Sequence, residues 1–159
     1  MEKMGKIISI CAAIVLATTA ALPAHASSKT VNLGSLASVT FNSTVTLKAS
    51  GCQKIKFNYQ LKKVSTQDTV VSISINTPDG ELVGLADSYQ SIKRIGSFTA
   101  KVCRKNWFNP DVVSDGSDGS QVNDGTMHAA RKGKYEIEVL ILDTSSFSTD
   151  TGYSSITFK

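Results

Sequence analysis

Histidine, cysteine and tryptophan are scarce, at two, three and one residues in a chain of 159. If His25 and Cys11 belong to a removable leader, as argued below, His128 is the sole histidine left and Cys52 and Cys103 the only cysteines. A His-ligated catalytic zinc, which commonly takes three such protein ligands, is thereby excluded. No G-x-S-x-G elbow is present, and a lone histidine gives a Ser–His–Asp triad no sequence support. Glu136 and Glu138 are the obvious carboxylate pair for glycoside hydrolysis. They share one outward strand face about 7 Å apart, however, where carboxylates usually serve solubility. The expectation is a protein that is not an enzyme.

Other absences narrow the class further. No segment beyond residue 26 that is longer than eight residues carries a helical period, which argues against an α-helical domain. Charge is modest, with 17 Lys and Arg against 13 Asp and Glu, far from the density of a nucleic-acid binder.

What is present starts with Lys3 and Lys6, an apolar run from Ile7 to Ala21, and Leu22-Pro23-Ala24-His25-Ala26. These are the three parts of a secretory signal peptide over 1–26, with Ala24 and Ala26 at an A-x-A cleavage site. The run falls short of the about 20 residues a spanning helix needs. Cys11 follows the bulky Ile10 inside that run, which does not suit lipid attachment. The sequence therefore predicts a bacterial protein secreted to the extracellular medium, with no membrane attachment after cleavage. Loss of Glu2, Lys3 and Lys6 lowers the net charge from +4 to +3.

That charge is unevenly placed. Residues 48–105 hold ten Lys and Arg against four acidic residues, whereas residues 106–159 hold four against eight. Two solvated faces of different sign follow. The basic one, around Lys54, Lys56, Lys62 and Lys63, suits an anionic envelope or polysaccharide.

Cys52 and Cys103 form an even pair in a chain bound for an oxidising compartment, so a disulfide is predicted between them. Neither cysteine belongs to a C-x-x-C spacing, which makes a metal pair a poor alternative.

Residues 27–159 are written in period two. Ile55, Phe57, Tyr59 and Leu61 alternate with polar residues, as do Val71, Ile73 and Ile75, and Tyr135, Ile137, Val139 and Ile141. Phe98, Ala100 and Val102 suggest another strand, and Ile156 with Phe158 a short last one. Leu140 and Leu142 make the end of the 135–142 strand apolar on both faces, which fits a central strand. Thr77-Pro78-Asp79-Gly80 is a turn, with Pro78 presetting φ and Gly80 tolerating positive φ. Seven or eight short strands around one core predict an all-β fold, a single antiparallel β-sandwich, with a small barrel as the alternative.

One region, 104–132, lacks periodicity and is expected to be a long loop, either functional or disordered. Its Asp115, Asp118 and Asp124, with Asp111 and Asn123, could chelate calcium, although the spacing fits no established calcium loop and plain disorder is the favoured expectation. Trp107 and Phe108 could stack on a sugar or anchor a protein partner; alternatively Trp107 caps the open end of the sandwich. Arg104, Lys105, Arg131 and Lys132 could enter a protease pocket.

The succession Gly51-Cys52, Lys54–Leu61, Thr77-Pro78-Asp79-Gly80, Phe98–Cys103, Gly133-Lys134-Tyr135-Glu136-Ile137 and Ile156-Thr157-Phe158 resembles small secreted proteins of actinobacteria and other Gram-positive bacteria with immunoglobulin-like domains. The Gly-x-Tyr strand is also similar to the pre-peptidase C-terminal type of sandwich. The resemblance spans most of 38–159 and implies a fold; it carries no catalytic residue across, and the 104–132 insertion departs from both patterns. The functional expectation is a binding or envelope-associated module with a protein or polysaccharide partner outside the cell. A secreted inhibitor or effector of an extracellular enzyme, and a calcium-dependent or carbohydrate-binding module, are the alternatives.

Overall fold

A computed structural model describes residues 27–62, 69–88, 93–114 and 123–159. The expected signal peptide at 1–26, Lys63, Asp115 and Asp118 lie outside the described residues.

Alternating apolar residues produce strands that bury one face each. In chain order these are β1 (Ser28–Leu33), β2 (Ala37–Asn42), β3 (Thr44–Val45), β4 (Cys52–Leu61), β5 (Thr69–Asn76), β6 (Leu82–Ser88), β7 (Ile95–Cys103), β8 (Trp107–Phe108), β9 (Thr126–Met127), β10 (Gly133–Asp143) and β11 (Ser148–Phe158). Eight of these have six residues or more, and β3, β8 and β9 have two each. Among the described residues there is no α-helix.

The long strands form two sheets. One has the order β1-β2-β4-β7 and is antiparallel throughout; the other has the order β3-β11-β10-β5-β6, antiparallel except where β3 runs parallel to β11. Their inner faces share one apolar core. Phe41, Phe57 and Leu61 come from the four-stranded sheet, and Ile73, Ile75, Ile137, Ile141 and Phe158 from the five-stranded sheet. All are essentially inaccessible to water, and each such side chain stabilises the fold by about 1.5–3 kcal/mol. Phe41 packs on Phe57 at 5.3 Å and Tyr135 on Phe158 at 4.7 Å between ring centroids.

The sheet edges approach each other where side chains are small. A Cβ on Gly84 of β6 would meet Val102 Cγ1 of β7 at 2.8 Å, and one on Gly152 of β11 would clash with Val31 of β1. The Thr77–Gly80 turn joins β5 to β6 as expected, with Gly80 at φ 87° and its N–H donating to the Thr77 carbonyl at 2.9 Å.

Three features differ from the sequence expectation. The region 104–132 is not simply irregular: β8 and β9 pair, a short 3-10 turn covers Pro110–Val112, and Ser114 bridges to Asn123. Two-residue strands are too short for period two to register. The last strand is eleven residues long rather than short, because Ser148, Asp150, Gly152 and Ser154 occupy its half-buried inward positions in place of apolar residues. Strand β10 is central, between β11 and β5, yet Leu140 stays 38% exposed, so its outer face is not a second core. The Cys52–Cys103 disulfide is present as expected, and its two residues stand directly opposite one another in β4 and β7. It therefore fastens neighbours within one sheet instead of tying two sheets together.

Candidate functional site

Asparagine and aspartate side chains brace the 104–132 insertion. Asn109 Oδ1 accepts from the Asp111 N–H, Asn123 Oδ1 from the Gly125 N–H, and Asp124 Oδ1 from the Thr126 N–H, at 2.8–3.2 Å. Each is a side chain hydrogen-bonding its own backbone two residues on, the device that makes these residues turn formers. Asn106 Oδ1 takes the Ala129 N–H from across the ribbon at 2.9 Å. The insertion is then tied to the sandwich through His128 N–H to the Leu82 carbonyl and Ala130 N–H to the Cys103 carbonyl, both 2.7 Å.

This bracing sets the positions of Trp107 and Phe108. Alternation along β8 separates them: Trp107 is half-buried, while Phe108 is 63% exposed with its ring over the bare α-carbon of Gly125. Lys101 of β7 holds its ammonium 4.0 Å from the Trp107 ring centroid. A cation over an indole face is attracted by the ring quadrupole. The Trp107 indole N–H is buried with no hydrogen-bond partner among the described residues.

Lys101 links the insertion to the basic strand face. On the outer side of the four-stranded sheet, Lys101 stands directly opposite Lys54, and Lys56 opposite Thr99. Like charges directly opposite on a sheet are destabilising. No carboxylate lies within ion-pair distance of Lys54, Lys56 or Lys101 among the described residues. The same face continues as Asn58, Ser97, Thr40 and Thr30, the last two joined by a hydroxyl hydrogen bond at 2.9 Å. The result is an even, polar surface that is basic at one end. Next to the basic end, a depression of about 330 Å³ is lined by Gly51, the Cys52–Cys103 bridge, Lys105, Asn106 and Trp107.

The other residues singled out in the sequence are spread elsewhere. Lys62 lies at the far end of the face and donates to the Gly34 carbonyl at 3.1 Å. Arg104 donates from Nε to the Lys48 carbonyl at 3.0 Å. Arg131 and Lys132 are exposed before β10, and Arg131 borders a separate hollow with His128, Glu81 and Asn106. His128 Nδ1 sits 3.5 Å from Glu81 Oε2. Glu136 and Glu138 lie on the outer face of the five-stranded sheet, opposite Ser155 and Tyr153.

The calcium cluster is only partly in view. The backbone N–H of Thr126 holds the Asp124 carboxyl below its usual range, which marks that carboxylate as a turn acceptor. Among the described residues no three of His, Cys, Asp and Glu gather where one metal ion could be held.

Sequence reasoning passed over Lys101 and Tyr153. Lys101 was detectable, since it falls on the outward phase of the Phe98, Ala100, Val102 alternation. Its adjacency to Lys54 and Trp107 was not, because strand register and the fold of the insertion bring them together. No protein-family model matches the chain, and neither does any curated protein compared with it.

Proposed function

We propose that this is a secreted, non-enzymatic binding module with an immunoglobulin-like sandwich, which holds an anionic polysaccharide outside the cell on its basic sheet face. The carrying observation is the group of Lys54, Lys56 and Lys101, none with a carboxylate at ion-pair distance among the described residues, with Lys101 set over Trp107. Three cations on a β-sheet, two of them face to face, are an electrostatic cost unless an anion relieves it. Trp107 adds an aromatic edge on which a sugar ring can pack.

Two details support the immunoglobulin-like reading. Strands β2-β4-β7 face β11-β10-β5-β6, and the chain leaving β2 crosses to the other sheet as β3, which runs parallel to β11. Tyr135, near the start of β10, accepts the Arg131 N–H on its hydroxyl at 2.8 Å, the contact known as a tyrosine corner. The leader at 1–26 supports export.

The test is binding of polygalacturonate to the mature protein as salt is varied. Affinity should fall steeply with salt, and the Lys54→Gln/Lys56→Gln/Lys101→Gln variant should bind about tenfold more weakly at about 50 mM salt. Neutral dextran should not bind at this face. Unchanged polygalacturonate affinity in the triple variant would overturn the proposal.

A further inference from the structure

The opposite side of the sandwich carries a second surface of different chemistry. Two rows cross β5, β10 and β11 on the outer face of the five-stranded sheet: Ser74–Glu138–Tyr153 and Asn76–Glu136–Ser155. Tyr153 is 63% exposed, and its hydroxyl donates to Glu138 Oε1 at 3.4 Å. Its phenol is pushed above the usual range, chiefly by the charge of Glu138 and less by that of Glu136.

The ring stands between two hollows. One, about 460 Å³, is lined by Pro78, Lys134, Glu136, Ser154 and Ser155. The other, about 440 Å³, is bordered by Asn76, Pro78, Asn123, Glu136 and Glu138. Both fall in the size range of small-ligand sites. They differ in charge. Lys134 borders the first, and Lys29 reaches Ser155 there with hydrogen bonds of 2.7 and 2.9 Å. Among the described residues no lysine, arginine or histidine borders the second, which is framed by two carboxylates, amides and hydroxyls.

We infer that this groove binds an amino-sugar oligosaccharide, one ring stacked on Tyr153 and its free ammonium held by Glu136 and Glu138. An exposed tyrosine ring offers the flat apolar face a pyranose stacks on. A cation placed beside it gains from both carboxylates and from the ring itself. Asn76 and Ser155 supply groups for sugar hydroxyls on either side. This site is independent of the basic face and does not rest on it.

The probe is a fully deacetylated glucosamine tetramer, titrated calorimetrically into the mature protein, with the N-acetylated tetramer as the comparison. The deacetylated tetramer should bind saturably and the acetylated one at least about tenfold more weakly. Tyr153→Ala and Glu136→Gln/Glu138→Gln should each weaken the deacetylated tetramer about tenfold. Tyr153 and Glu136 are exposed, so an unchanged thermal midpoint will check that folding is intact. The Lys54→Gln/Lys56→Gln/Lys101→Gln variant should bind the tetramer as the parent does, which separates this site from the polygalacturonate face. Equal binding of the two tetramers, or full binding by Tyr153→Ala, would overturn the inference.

Discussion

The Tyr59 ring lies directly over the bare α-carbon of Gly96, its register partner across β4 and β7. It also stacks on Phe98 at 4.4 Å with the planes 10° apart, and burial pushes its phenol above the usual range. An aromatic ring covering a strand glycine restores the packing that the missing side chain would leave open. Gly96→Val should therefore destabilise the protein by about 1–3 kcal/mol, because the ring must leave a well-packed site. Urea unfolding followed by near-ultraviolet circular dichroism of the tyrosines checks this; an unchanged midpoint with the native tyrosine signal would refute it.

Cys52 and Cys103 close a loop with a sequence separation of 51, although hydrogen bonding between β4 and β7 already holds the same two residues together in the native state. The bridge thus acts mainly on the unfolded chain, where loop closure of this length is worth about 4 kcal/mol in the entropic model. Replacing both cysteines by alanine should lower unfolding stability by about 2–4 kcal/mol in guanidinium while preserving the β-sheet spectrum. A loss of the fold, or no loss of stability, would contradict this division of roles.

Asp143 ends β10 with its carboxylate accepting from the Ser145 N–H at 3.1 Å, the Ser145 hydroxyl at 2.6 Å and the Ser146 hydroxyl at 3.0 Å. The Ser145 hydroxyl is the main cause holding this carboxyl below its usual value of 3.8. A depressed pKa stabilises the fold fully above the unfolded value and loses that stabilisation as pH falls through the folded one. Stability should therefore decline below about pH 4. Asp143→Asn should be less stable than the parent at pH 7, with a smaller difference at pH values below the folded pKa. Thermal midpoints from pH 7 down into the acid range decide it; a constant difference would rule it out.

Phe147 holds φ at 53° in the β10–β11 turn with its ring 86% exposed. A bulky residue in the left-handed region carries a penalty that asparagine largely avoids. Phe147→Asn should gain about 0.5–1 kcal/mol and raise the thermal midpoint by about 2–4 °C. A lower midpoint would mean that the ring makes a stabilising contact after all.

Strand phase was legible wherever one face of a strand is continuously apolar, as in Ile55 to Leu61 or Tyr135 to Ile141. It was illegible in β11, where Ser and Gly face β1, and in β8 and β9, whose order depends on Asn106, Asn109, Asn123 and Asp124 accepting backbone N–H groups. Those side chains were visible as turn formers, but the backbone groups they would meet were not.

For this protein, amino-acid order alone determined the alternation, the Thr77–Gly80 turn and the availability of one cysteine pair, since these depend on residues within a few positions of one another or on counting. Which sheet each strand joined, the setting of Lys101 between Lys54 and Trp107, and the grouping of Tyr153 with Glu136 and Glu138 were decided only in three dimensions. Each of those contacts needs a register across strands, and register is chosen by the shared burial of two sheets, a property that no single segment carries.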